Sequence, residues 1–454
     1  MSSASRPGRV AIIGSGPSGF YAAQALLDSD WDVRVDLFDR LATPYGLVRG
    51  GVAPDHQGIK ATARVYARVA EDPRLRFLGN VKVGEDISAQ DLDRCYDAVI
   101  WASGCEAGRG LDLPGKDLDG VHTATEFVYW YNGHPDYRDQ SFALDQAQRV
   151  LVVGNGNVSM DVTRVLALRY DELAKTDCAD HALTSFERSS VSDVGVLGRR
   201  GPAQAAFSPK EVRDLGRLED VDLWAEPDDV ALDPATEGWL AANEPERATK
   251  KNLAIVQDLA PARGEAARAI QLRFRVSPVE FLGEDGKLTG VRVVRNRLED
   301  RGGRLASVAT DETWIEPADL LFQAIGYRGL PIPGVPHEPW KGTIPNEAGR
   351  VVRDGDRVPG WYVVGWAKRG PTGLIGTNRG DSRATVELVL ADRDRLPIAQ
   401  EAHERVDELL ADVRVVGFAD WKRVDAEELR RGEERGQVRR KFTSTEAILA
   451  FLDG

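Results

Sequence analysis

The stretch Val10-Ala11-Ile12-Ile13-Gly14-Ser15-Gly16-Pro17-Ser18-Gly19-Phe20 constrains this chain more than any other. An apolar run stops at three glycines and gives way to a helical pattern with Ala22, Ala23, Leu26 and Leu27 on one face. That order predicts a strand, a tight turn and a helix. Gly14 permits the turn, Gly16 leaves room for backbone to approach a pyrophosphate, and Gly19 lets the helix pack closely on the strand. An anion would rest on the helix N-terminus, where open N–H groups and the macrodipole favour negative charge. Val33-Arg34-Val35-Asp36-Leu37-Phe38 then predicts a second strand, ending in Asp39. This acid follows Gly19 by about 20 residues, where such folds place a carboxylate on ribose hydroxyls.

The pattern returns at Val150-Leu151-Val152-Val153-Gly154-Asn155-Gly156-Asn157-Val158-Ser159, with Val158, Val162 and Val165 on the helix face. Here the third glycine position is Ser159. The next predicted strand, residues 194–197, ends in Gly198-Arg199-Arg200-Gly201-Pro202 and has no acid. Two guanidiniums in that place predict a 2′-phosphate in place of a free 2′-hydroxyl, because the forked donors of Arg match phosphate oxygens. The chain therefore has one dinucleotide site suited to a free ribose and one suited to a phosphorylated ribose.

Composition narrows the class. A length of 454 residues allows two or three domains with real cores, and 42% hydrophobic with 29% charged residues is ordinary for a globular protein. No apolar run reaches the ~18 residues of a membrane span. Residues 1–9 lack the apolar core of a secretory signal, so a cytoplasmic chain is expected. The net charge of -13 argues against nucleic acid as a partner. Cys95, Cys105 and Cys178 form no CxxC pair and no cluster spacing, which argues against a redox disulfide or an iron–sulfur centre held by this chain.

Between and after the two loops, residues 43–56 are too rich in Pro and Gly for helix and predict an ordered functional loop. Helix is expected over 59–70 and 382–390, and strand over 75–83, 97–104, 318–325 and 361–366. Three antiparallel strands are expected at 272–276, 279–282 and 291–295, with Glu284-Asp285-Gly286 as a turn. Ser208 and Pro209 predict the start of a helix that carries Lys210, Glu211, Arg213 and Arg217. Residues 216–264 predict a charged helical surface, and the tail from 397 predicts helices at 401–410 and 426–431.

With these pieces in hand, the chain resembles the NADPH–ferredoxin reductases of the adrenodoxin reductase type over almost its whole length. The motifs that carry the resemblance are Gly14-Ser-Gly-Pro-Ser-Gly-Phe20, Pro44-Tyr-Gly-Leu-Val-Arg49, Gly51-Val-Ala-Pro-Asp-His56, Gly198-Arg-Arg-Gly-Pro202 and Lys368-Arg-Gly-Pro-Thr-Gly373. The resemblance implies an α/β fold of two Rossmann-like dinucleotide-binding domains, the NADP domain inserted into the FAD domain. The expected boundaries are residues 1–108 and 324–454 for FAD and 109–323 for NADP.

Carried over by position, the resemblance places Gly14, Gly16, Ser18, Gly19, Asp39, Leu47 and Val83 on FAD, with Trp366, Gly373, Leu374 and Ile375 near the isoalloxazine. Asn155, Gly156, Asn157, Val158, Arg199, Arg200, Glu211 and Gly373 would meet NADPH. His56 and Glu211 are the titratable pair it implies near the nicotinamide. The helix start at Gly373 is expected to present its positive end to the reduced ring. Two departures stand out. Relatives often carry Glu where this chain has Asp39, and Gly365-Trp366 replaces the Gly-Asp pair of more distant flavin reductases. The basic face of Lys210, Arg213 and Arg217 resembles the family's docking site for an acidic ferredoxin. The expected protein is a monomeric enzyme that oxidises NADPH through FAD and feeds single electrons to a ferredoxin. The competing readings are an electron-relay subunit of a larger redox assembly and a general NADPH diaphorase.

Overall fold

The computed structural model describes residues 6–454, which divide into two compact units. The first comprises the described residues through Ala107, His134–Asp136 and Tyr327–Gly454; the second comprises Gly108–Gly133 and Tyr137–Gly326.

In the first unit a seven-stranded sheet runs in the order Asn346–Glu347, Arg350–Arg353, Asp356–Val363, Ala98–Trp101, Gly8–Ile13, Val33–Phe38, Leu75–Leu78. Gly8–Ile13 pairs in parallel with Val33–Phe38 on one side and Ala98–Trp101 on the other. The strand order thus reverses at Gly8–Ile13, and its carboxyl end opens on the crevice where α/β sheets take ligands. Parallel sheets need cover on both faces. Val10 and Ile12 pack with Phe20, Leu26, Val386 and Trp421 on one face, while Ala11 and Ile13 pack with Trp101, Val363 and Leu410 on the other. The tail belongs to this core, since Trp421, Val424, Ile448 and Leu452 are all buried. A polar tie joins them: buried Asp36 accepts from Arg76 at 2.7 and 3.0 Å and from the Tyr96 hydroxyl at 2.6 Å, with His403 Nε2 at 3.0 Å. Burial alone would raise the Asp36 pKa, but His403, Arg76 and Tyr96 together hold the carboxyl below its usual range.

The second unit repeats the plan. Its six-stranded sheet runs Val121–Thr123, Leu320–Gln323, Arg149–Val153, Asp193–Gly198, Arg268–Phe274, Val221–Trp224. Arg149–Val153 lies parallel to both neighbours, so a second reversal point sits at its carboxyl end. Val276–Glu284, Lys287–Asp300 and Leu305–Pro317 form a separate antiparallel sheet.

The structure departs from the sequence pattern in several places. The strand expected over 272–276 is split: Arg268–Phe274 is a parallel strand between Asp193–Gly198 and Val221–Trp224, and only Val276 joins the antiparallel sheet. Residues 59–70 form two helices, Gln57–Lys60 and Ala63–Ala70, and the loop 43–56 contains one helical turn, Leu47–Gly50. The strand expected over 75–83 stops at Leu78, and Asn80, expected as a turn residue, takes φ 60° and turns the chain. The late helix begins at Ile375 and runs to Asp392, and the tail helices are Arg405–Leu409, Phe418–Glu433 and Thr445–Asp453.

Candidate functional site

In the first unit, Gly14 takes φ 112° and donates to the Phe38 carbonyl, which turns the chain out of the sheet. A Cβ on Gly19 would stand 2.0 Å from the Gly14 oxygen, so helix Pro17–Leu27 can pack this closely only with glycine there. A Cβ on Gly16 would meet nothing within 4 Å. That open space lies at the N-terminus of an 11-residue helix with no side-chain cap and no acid in its first turn. The contrast with Ala89–Cys95 and Ala124–Tyr131 is informative, because both of those helices satisfy their N-termini with capping boxes. The Pro17–Leu27 helix leaves its N–H groups for an anion.

Asp39 is tied to this turn. Its Oδ2 accepts from the Ser15 N–H at 2.9 Å and hydroxyl at 2.5 Å, and its Oδ1 accepts from the Leu41 N–H at 3.0 Å. The shorter acid thus grips the glycine turn itself, and a carboxylate with about four lone-pair sites keeps one for a ribose hydroxyl. Leu47 begins the single helical turn after Gly46, while Val83 is buried. The late segment meets the same helix start: Gly365 lies against Ser18, the Ser382 hydroxyl donates to the Ser18 carbonyl, and the Gly365 N–H donates to Asp381 at 2.7 Å. Trp366 packs 5.5 Å from Tyr327, and its indole N–H donates to the Thr372 carbonyl at 3.2 Å. Gly373 and Leu374 are exposed ahead of Ile375, the first residue of an 18-residue helix whose first turn has no acid. Arg369 Nη1 is buried and without a hydrogen-bond partner in this segment. His56 is buried at the start of Gln57–Lys60, and its carbonyl accepts from the N–H groups of Ile59 and Lys60.

The second unit carries the same device. Gly156 has open space where a Cβ would stand, and helix Asn157–Ala167 likewise has no side-chain cap and no acid in its first turn. Ser159 is fully buried at the third glycine position, and its hydroxyl donates to the Gly154 carbonyl at 2.5 Å. The Asn155 amide nitrogen is buried beside Gly198 with no partner. Asn157 accepts from the Ser208 N–H at 2.8 Å, which fastens the loop at Asn157 and Val158 to the start of helix Pro209–Leu215. Ser208 is the N-cap residue of that helix, although its side chain makes no capping bond.

Arg199 and Arg200 have an unforeseen companion. Burial, then the charges of Arg199 and Arg304, lower the Arg200 pKa, so two further guanidiniums act on Arg200 here. Among the described residues, none of the three is in an ion pair with a carboxylate. Arg304 lies in the turn between Lys287–Asp300 and Leu305–Pro317, and no motif spacing points to it. Its one sequence signal is a positive charge in an Arg-Gly-Gly-Arg turn.

Glu211 is buried in the first turn of Pro209–Leu215 and accepts from buried Arg164 at 3.1 Å. The basic face is weaker than its sequence spacing suggests. The helix ends at Leu215, which leaves Arg217 beyond it, and both Lys210 and Arg217 pair with Asp214. Arg213 is exposed and, among the described residues, makes no ion pair.

Comparison with known proteins agrees with this geometry. Residues 8–193 match the pyridine nucleotide-disulphide oxidoreductase family. The chain is 42% identical over 462 residues to the NADPH-ferredoxin reductase FprA of Mycobacterium tuberculosis, covering 98% of this chain and 99% of that one. The chain belongs to the family of NADPH–ferredoxin reductases of the adrenodoxin reductase type. This family member is also 38% identical over 467 residues to the mitochondrial NADPH:adrenodoxin oxidoreductase of Arabidopsis thaliana, covering 99% and 96% of the two chains. The structure of Mycobacterium tuberculosis FprA in complex with NADPH superposes on this family member with a TM-score of 0.92 at 41% identity, covering 99% of this chain and 100% of that one. Among the described residues no helix is long and apolar enough to cross a membrane.

Proposed function

We propose that this chain oxidises NADPH through FAD and passes the electrons singly to a separate ferredoxin, the first unit holding FAD and the second NADPH. The observation that carries the reading is the pair of uncapped helix starts over open glycine cradles, of which the second alone is followed by a cluster of unpaired arginines. FAD, when bound, supplies the change from two-electron to one-electron chemistry, so no side chain has to act as nucleophile.

This chain's residues bind and orient. Gly14, Gly16, Ser18 and Gly19 form the pyrophosphate cradle, Asp39 takes the ribose, and Leu47 and Val83 line the adenosine half. Trp366, Gly373, Leu374 and Ile375 stand at the flavin, where the start of Ile375–Asp392, with no acid in its first turn, offers positive potential to developing negative charge. Asn155, Gly156, Asn157 and Val158 hold the second pyrophosphate, and Arg199, Arg200 and Arg304 hold the 2′-phosphate. His56 and Glu211 serve the nicotinamide end, with Arg164 holding Glu211 in place through an ion pair.

The reading is tested with the purified, FAD-loaded chain. NADPH-dependent reduction of ferricyanide, and faster turnover with a ferredoxin than the dye alone explains, are expected. Dye reduction with no transfer to any ferredoxin would leave a diaphorase, and transfer only within a complex would leave an electron-relay subunit.

The docking face is acidic on the ferredoxin and centres on Arg213, the residue of the three with no ion pair. Arg213→Glu is expected to lower the ferredoxin on-rate about tenfold at low salt and much less at high salt, with ferricyanide reduction unchanged. A salt-independent effect, or none, would place the partner on another surface.

A further inference from the structure

We propose that the tail helix Phe418–Glu433 is a clasp on the loop that walls the first dinucleotide turn, with Trp421 and Glu428 as positioning residues that set the affinity for FAD. The loop is strained where it touches the turn. Tyr45 takes φ 86°, a conformation that is strained for a bulky residue and persists only where neighbours enforce it. Its N–H donates to the Ser15 carbonyl at 3.0 Å. The next residue, Gly46, lies so close that a Cβ there would stand 3.0 Å from the Gly16 Cα. The strained pair therefore forms the wall of the cradle at Gly16.

The enforcing groups come from one stripe of the tail helix. Trp421 and Glu428 are seven residues apart, two helical turns, and share a face with buried Val424. The Trp421 ring meets Tyr45 edge-on at 5.7 Å, and its indole N–H donates to the Tyr45 hydroxyl at 3.2 Å. Four residues after Tyr45, the Arg49 guanidinium lies 5.1 Å over the same indole. It also forks onto both oxygens of Glu428 at 2.8 and 2.6 Å. Glu428 is fully buried and accepts further from Arg439 at 3.0 Å and the Phe442 N–H at 2.8 Å. Burial would raise its pKa, but Arg49, then Arg439 and the Phe442 N–H, outweigh that and keep the carboxylate charged. An exposed pair would be worth little, but this one is desolvated and fully donated, so removing one partner is felt strongly. The loop is thus held at both ends: Tyr45 by the indole, Arg49 by the carboxylate.

This inference rests on the reading that FAD occupies the turn at residues 14–19. Its test uses the full-length chain as wild type, Glu428→Gln, Arg49→Lys and Trp421→Phe. Each apoprotein is titrated with FAD by flavin fluorescence and, separately, digested with limiting trypsin. Glu428→Gln is expected to raise the FAD Kd about tenfold or more and to expose the bond after Arg49 to trypsin. Arg49→Lys, which keeps the charge but loses the fork, should give a smaller rise, as should Trp421→Phe. The Kd for NADP+ should stay unchanged in all three, which a general loss of stability would not allow. Should Glu428→Gln fail to fold, Arg49→Lys and Trp421→Phe carry the same titration. A wild type that binds FAD beside variants with unchanged Kd and unchanged tryptic protection overturns the clasp alone. A wild type that binds no FAD overturns the reading of the turn.

Discussion

Gly16→Val is expected to leave the apoprotein folded and to weaken FAD binding more than a hundredfold, whereas Gly19→Ala is expected to destabilise the fold itself. The two glycines lie three residues apart, yet their surroundings differ. Gly16 has φ -76° and ψ -175°, extended backbone that any residue adopts, and open space where a side chain would stand. A Cβ there meets no protein atom within 4 Å, and the larger valine would fill the volume that a pyrophosphate must enter. At Gly19 an added Cβ comes within 2.0 Å of the Gly14 carbonyl oxygen, a backbone atom held by the turn. Relief requires the helix to move off the strand, at a cost of about 1–3 kcal/mol or more. The second unit supplies the control, because Ser159 fits at the corresponding position with its hydroxyl on the Gly154 carbonyl. Thermal melts of the apoproteins with FAD titration separate the two effects. A Gly16→Val chain that binds FAD as wild type does would remove the cradle from the site.

The parts of this chain that are legible in its sequence are those whose chemistry is local. Each dinucleotide turn follows its strand directly, and the acid or arginine pair follows at fixed spacing, so residues 10–39 and 150–200 could be read without long-range information. Arg268–Phe274 could not. Its alternation of Leu272 and Phe274 with Gln271 and Arg273 imitates a half-exposed antiparallel strand. In the structure Arg273 is buried on Glu316 at 2.5 Å and Asp229 at 2.6 Å, and Gln271 is buried too, so both faces are covered. A charge satisfied from 43 or 44 residues away looks polar in the sequence and behaves as core in the fold. The start of Ile375–Asp392 was hidden for a related reason. Gly376, Asn378 and Gly380 are poor helix formers, and the helix they begin is held by docking on Pro17–Leu27. Arg304 and the Trp421–Glu428 stripe were invisible for the same cause, since each gains its meaning from residues far away in the chain.

The arginine cluster gives the other large effect. Arg199→Ala and Arg200→Ala are each expected to lower kcat/KM for NADPH by about 10- to 100-fold, because hydrogen bonds to a charged group contribute about 1.5–3 kcal/mol. Turnover with NADH, which lacks the 2′-phosphate, should change little, so the ratio of the two activities collapses. Arg304→Ala should act in the same direction by about tenfold or less, since Arg304 is exposed and screened. The apoprotein should respond in the opposite sense. Among the described residues no carboxylate pairs with these guanidiniums, and burial with the charges of Arg199 and Arg304 already lowers the Arg200 pKa. Removing one relieves this repulsion at Arg200, so the alanine variants should melt no lower than wild type without NADP+ and should gain less when it is added. A structural role for these side chains predicts the reverse, with melting lowered and the preference for NADPH retained. Steady-state kinetics with both nicotinamides, beside melts with and without NADP+, decide between a phosphate site and a solvated surface.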